Sequence, residues 1–175
     1  MSLLGGDFPF EFLHTELVSH FFDKEHEQQT SSGSENSSSS NKCDELNATT
    51  KLEHMGYRVG FALVERISKE LPRFCTELDS MKFICKEFWT TVFRKQVDNL
   101  KTNHQGVYVV QDNRFLMLMP FSASQQYLDE APRYLSFSCG LIRGALSNLG
   151  MPCVVTASVE TLPVVKFSVH VQHKG

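Results

Sequence analysis

The chain has 175 residues, 41% of them hydrophobic, enough for one domain with a sizeable core. Lys plus Arg is 17 and Asp plus Glu is 20, a net charge of -3 that argues against a nucleic-acid partner, because phosphates demand a concentrated positive surface. No apolar run approaches the roughly 20 residues of a membrane span, Met1–Phe12 lacks the basic start and apolar core of a signal peptide, and five widely spaced cysteines then read as reduced cytosolic thiols.

Spacing predicts a first helix over Phe8–Phe22. Phe10, Leu13, Leu17 and Phe21 form one stripe, and Phe8, Phe12, Val18 and Phe22 a second on roughly the opposite side. Glu11 and His14 divide the stripes along one edge; Glu16, His20 and Asp23 divide them along the other. A surface helix needs a single apolar stripe, so two imply burial on both sides. One side can rest on the domain's own core, and the other needs more of this chain or another subunit. Residues 24–49 follow as an expected disordered polar insertion, since Gln28 to Asn41 is almost wholly Gln, Thr, Ser, Gly, Glu and Asn and buries too little to offset chain ordering.

A second helix is expected from about Thr50 to Glu70, with Leu52, Met55, Val59, Leu63 and Ile67 as its main stripe and Tyr57, Phe61 and Val64 widening it. Gly56 and Gly60 sit one turn apart, each costing about 1 kcal/mol of helix propensity relative to Ala. Either another backbone packs closely there or the helix is locally weak. Pro72 ends it. A third helix from about Thr76 to Gln96 carries Leu78, Met81, Cys85, Phe88 and Val92, with Trp89 beside them as a core or interface anchor.

The period then changes. Gly106–Val110 and Phe115–Met119 read as two strands joined by a turn at Gln111–Arg114, a β-hairpin. A fourth helix begins near Pro132, shows Leu135, Cys139, Ile142, Leu146 and Leu149 on one face, and stops at Gly150 and Pro152. Two last strands, about Cys153–Val159 and Val164–Val171, close around Pro163; in the second, Val165, Phe167, Val169 and Val171 alternate with polar residues. The predicted class is α+β, helices on one sheet face, in the order α-α-α-β-β-α-β-β.

Motifs for chemistry are missing. There is no glycine-rich phosphate loop, no Cys-x-x-Cys and no His-Glu-x-x-His. Cys139 before Gly140 fits a small-residue packing surface better than a nucleophile, and Cys75 sits near a helix junction. No catalytic residue, cofactor or metal is predicted, and the balance moves toward a binding protein.

Several stretches resemble one family: Phe10–Glu16, Met55–Gly60, Met81–Trp89, Leu100–Gly106, Cys139–Leu146 and Val164–Phe167. Together they cover most of residues 8–23 and 50–172 in order, and the sequence is similar to the small α+β subunits of the TRAPP (transport protein particle) vesicle-tethering complex, in the subunit 6 class. The resemblance implies helices over a four-stranded antiparallel sheet in a single domain over 1–175. It implies a non-catalytic cytosolic protein at the endoplasmic reticulum and cis-Golgi, held at membranes peripherally through the complex. Its partners would be other TRAPP subunits, as a heterodimer with a sister small subunit through the first two helices, or as a homodimer alone. A Rab GTPase would be reached only through the whole complex. The interface expected from spacing and resemblance together is Phe8, Phe10, Phe12, Leu13, Leu17, Phe21, Leu52, Met55 and Val59. The alternative is a lipid or acyl-group binder with an internal apolar channel and Cys75 at its mouth.

Overall fold

The computed structural model describes residues 10–29, 37–69, 74–103, 105–122, 128 and 130–172, with the backbone alone over 23–29 and 37–45. Phe8 and Pro72, singled out above, lie outside the described residues. Alternation in the last strand organises the sheet: in β4 (Val164–Val171), Val165, Phe167 and Val169 are buried while the residues between them are not. This strand pairs antiparallel with β3 (Cys153–Thr161) on one side and β2 (Val107–Asp112) on the other, and β2 carries β1 (Asn99–Thr102) at its far edge. The order is β1-β2-β4-β3, a four-stranded antiparallel sheet as expected.

The expected hairpin is displaced by one element. Phe115–Met119 is not a strand: residues Leu116–Phe121 form a 3-10 helix, and β2 pairs instead with the preceding segment Asn99–Thr102. A short apolar run cannot by itself be told from a buried helical turn. This one is apolar because Phe115, Met117 and Leu118 plug the core. The β1–β2 connection is made by Asn103, whose side-chain oxygen accepts from the amides of Gln105 and Val107 at 2.9 and 3.1 Å, with Gly106 at φ 81°.

Helix α1 runs Phe10–Gln29 and α2 runs Ser37–Ser68. Part of the segment expected to be disordered, 24–29 and 37–49, is thus helical. Adding residues to a helix already nucleated and packed, as α2 is at Leu52 and beyond, costs little even for a serine run. The third predicted helix is three joined pieces: α3 (Glu77–Phe83), a π-helical turn (Ile84–Phe88) and α4 (Trp89–Phe93). Thr76 and Asp79 form a capping box at its start. It ends earlier than Gln96, at Arg94 in the left-handed conformation (φ 62°). The Val97 amide then donates to the Cys85 carbonyl at 3.0 Å, tying the exit back to the π turn. Leu78, expected on the apolar face, is exposed.

The core sits between α4, α5 (Ala131–Asn148) and the sheet. Trp89, Phe93, Phe115 and Phe167 stack there with neighbouring ring centroids 4.6–5.6 Å apart. Trp89 Nε1 donates to Asp112 at 2.9 Å, and this enclosed carboxylate also accepts from Lys95 Nζ at 2.7 Å and the Arg114 amide at 2.9 Å. Burial pulls the Lys95 pKa down, but hydrogen bonds and charge from Asp112 and Asp98 outweigh it and leave the ammonium favoured. A buried charge of this kind persists only when so fully paired.

Candidate partner interface on the first two helices

The inward arc of α1 is Phe10, His14, Leu17, Val18 and Phe21, at steps of four, three, one and three, with His14 and Val18 buried and the other three half-buried. Phe10 meets Phe137 of α5 edge-on at 6.1 Å, and His14 lies 5.7 Å from the same ring. Compared with the expected stripes, the docked face is rolled toward Val18. Leu13, grouped above with Phe10 and Leu17, is 65% exposed, and Phe12 is 70% exposed. His14, placed at a polar edge, is instead enclosed, and burial pushes its imidazole down to about 4 against an opposing hydrogen bond to the Tyr134 backbone. Leu17 and Phe10 pack against the chain's own core, and Phe21 is half-buried.

On α2 the inner face is Leu52, Gly56, Gly60 and Val64, one every four residues. A Cβ at Gly56 would land on the Phe137 carbonyl oxygen and one at Gly60 on that of Leu141; reciprocally, a Cβ at Gly140 or Gly144 of α5 would land on the Glu53 or Tyr57 carbonyl. The two backbones touch through four glycines, so close approach, and not local weakness, explains the pair in α2. Beside the crossing, Tyr57 Oη donates to Ser147 at 2.9 Å, and the Arg143 guanidinium lies 5.1 Å above the Tyr57 ring while pairing with Glu53 at 2.9 Å.

This clamp decides which α2 residues remain available. Leu52, expected in the interface, is 0% exposed and belongs to the chain's own interior. Met55 is half-buried against the core, while Val59 is 44% exposed. Phe61 (41%) and Leu46 also stand out, and neither was in the expected set. The signal for Leu46 was an isolated apolar residue in a polar run; for Phe61, its offset from the glycine face. Of the seven large hydrophobic residues exposed among the described residues, five (Phe12, Leu13, Leu46, Val59 and Phe61) lie on α1 and α2, so apolar exposure concentrates on this pair.

Elsewhere the chemistry is quiet. Burial pushes the thiols of Cys85 and Cys139 up to about 12 and that of Cys153 to about 11, which keeps them protonated and unreactive. Among the described residues no group of three His, Cys, Asp or Glu could hold a metal, and no helix is long and apolar enough to cross a membrane. Cys75 is exposed in the wall of an open cavity of about 640 Å³, where Phe74, Leu149 and Met151 alternate with Glu77, Ser80 and Ser147.

Residues 10–172 match the family model described as Transport protein particle (TRAPP) component. The chain is 51% identical over 163 residues to trafficking protein particle complex subunit 6b of Danio rerio, covering 93% of this chain and 95% of that one. It is 52% identical to subunit 6B of Homo sapiens over the same shares, and 51% identical to human subunit 6A over 160 residues, 91% and 93% of the two chains. Its structure is similar to a trafficking protein particle complex subunit 3 from Naegleria fowleri, solved covalently bound to palmitic acid. The TM-score is 0.63 at 17% identity, over 92% of this chain and 96% of that one, which speaks for the fold alone.

Proposed function

Because the chain belongs to the TRAPP component family, we propose that it pairs with a sister small subunit through the exposed residues of α1 and α2, chiefly Phe12, Leu13, Val59 and Phe61. It is a non-catalytic subunit of the subunit 6 class in vesicle transport. The observation that supports pairing is the crowding of exposed apolar side chains onto one helix pair while α3, α4, α5 and the sheet hide nearly all of theirs. Covering a Phe or Leu gains roughly 2 kcal/mol each, and a stable interface needs roughly 1,600 Å² in total. Once paired, the subunit supports Rab GTPase activation by the assembled complex, at the endoplasmic reticulum and cis-Golgi, touching membrane only through its partners. Alone, the same surface joins two copies.

Sizing the purified chain with and without a sister subunit tests this. Leu13→Asp places a carboxylate in the covered surface and should weaken pairing by about 2 kcal/mol or more, some thirtyfold, leaving Trp89 fluorescence unchanged. Leu17→Asp is the poorer probe, because Leu17 also holds α1 to its own core. A chain that stays monomeric at high concentration and ignores every sister subunit would end the proposal.

The rival reading, an acyl-group binder, has one observation in its favour: Cys75 borders a cavity. Glu77, Ser80 and Ser147 in the same wall suit an acyl chain poorly. Intact-mass measurement of native protein separates the two, since an acyl adduct adds a fixed mass and simple pairing adds none.

A further inference from the structure

The His14 imidazole is enclosed between Phe10 on its own helix and Tyr134 and Phe137 on α5, with ring centroids 6.4, 6.3 and 5.7 Å away. It donates to the Tyr134 carbonyl, and Nε2 finds no hydrogen-bond partner among the described residues. A neutral ring can leave that nitrogen as an unused acceptor. An imidazolium would put a second N–H and a full charge into an enclosed site with no hydrogen-bond acceptor for that N–H among the described residues.

The helix that carries this ring is peripheral. Val18, its buried apolar residue, stands outside the contiguous core cluster, to which α1 adds only the half-buried Phe10 and Leu17. An element with so little in the core can open locally while the rest stays folded.

We propose that His14 latches α1 onto α5 only while its imidazole is neutral, so that mild acid releases this helix, and the Phe12–Leu13 patch with it, from an otherwise folded chain. The importance for pairing rests on the proposed function; the latch itself does not.

Among the described residues no neighbouring ionisable group hydrogen-bonds Nε2. On α1, Glu11 lies one turn earlier, and Glu16 and His20 face outward. On α5, Tyr134 presents its ring, and Arg133, a second cation, lies 4.9 Å over the Phe22 ring. The 3-10 helix carries no ionisable side chain. On α2, Glu53 is held by Arg143, while Lys51, His54 and Arg58 are exposed. None of these groups contributes to the His14 shift, which comes from burial, opposed by the Tyr134 carbonyl.

The sign follows. Docked, the ring resists its proton down to about pH 4; released, it takes one at its ordinary 6.5. Between those values the released form binds more protons, so each unit of acidification favours release about tenfold, saturating near 300-fold.

Hydrogen exchange of the full chain, corrected for the intrinsic pH dependence, tests it. Protection over residues 10–22 should fall roughly fifteenfold between pH 6.5 and 5. Protection over 135–146 and Trp89 fluorescence should hold, and in His14→Phe the dependence should vanish. Unchanged protection of 10–22 in the natural chain, or an equal fall in His14→Phe, would overturn the latch. If His14→Phe fails to fold, the imidazole titration followed by NMR decides: a midpoint near 6.5 with α1 still protected overturns it too. Release of α1 without loss of a bound sister subunit would refute the placement of the partner and leave the latch standing.

Discussion

At the scale of single residues, glycine makes the sharpest claim. Gly56, Gly60, Gly140 and Gly144 let two helix backbones meet, and only the absence of a Cβ permits that distance. Two effects compete in Gly60→Ala. Helix propensity gains about 1 kcal/mol, whereas the new methyl strikes the Leu141 carbonyl, which belongs to a rigid backbone and cannot swing aside. Overpacking typically costs 1–3 kcal/mol even against side chains, so the clash should win, with net destabilisation of about 1–2 kcal/mol in urea denaturation. A Gly60→Ala chain more stable than the natural one would mean that the helices are not in contact there. The sequence left this point open because glycine spacing is the same for a crossing and for a weak helix. What separates them is a second pair on α5, with the same four-residue step, and nothing in α2 announces its partner.

Among elements, the helices and last strands were legible because their apolar residues repeat at a helix or strand period, although α5 is buried all round from Leu135 to Ile142. Met81, Cys85, Phe88 and Val92 are buried as their spacing implies, and so are Val165, Phe167 and Val169. The first hairpin was not legible. Strand β1 is a short edge with two polar residues and a lysine, so its alternation hardly registers, while Phe115–Met119 mimics a strand by composition. The two assignments differ in a measurable way. On a strand, Met117 and Leu118 would point to opposite faces, so one alanine substitution would be cheap and the other costly. In the 3-10 helix both are buried, and Met117→Ala and Leu118→Ala should each cost about 2–5 kcal/mol. Thermal or urea denaturation of the pair decides: one change below about 0.5 kcal/mol would restore the strand. On α1 the stripes were legible but their orientation was not. Helical angle alone cannot say whether Leu13 or Val18 takes the buried margin; the position of α5 does. The same limit put Leu52 in the expected interface, since a fully enclosed leucine and a partner-facing one obey the same period.

Across the whole molecule, acid and alkali should act on different things. Acid reaches His14 and hence one peripheral helix, whereas three thiols lie in the shared core of α5, β3 and the π turn. Burial raises Cys85, Cys139 and Cys153 from 9.0 to about 12, 12 and 11; beside Cys139 the Glu53 carboxylate adds to burial and Arg143 opposes it. A raised folded pKa means that the native chain keeps protons the unfolded chain has lost. The stabilisation is therefore complete below pH 9 and is lost as pH climbs from 9 toward 11–12. With three thiols ionising together on unfolding, the loss should approach about 4 kcal/mol per pH unit, steep beside the 5–15 kcal/mol that holds a typical domain. Urea denaturation between pH 7 and 10.5, followed at Trp89, should show a plateau and then this collapse. Replacing Cys153 with Ala should lower the alkaline slope by about a third, whatever it does to the plateau. An unchanged slope would mean that this thiol already meets solvent in the folded chain, and that the core between α5 and β3 is looser than its packing indicates.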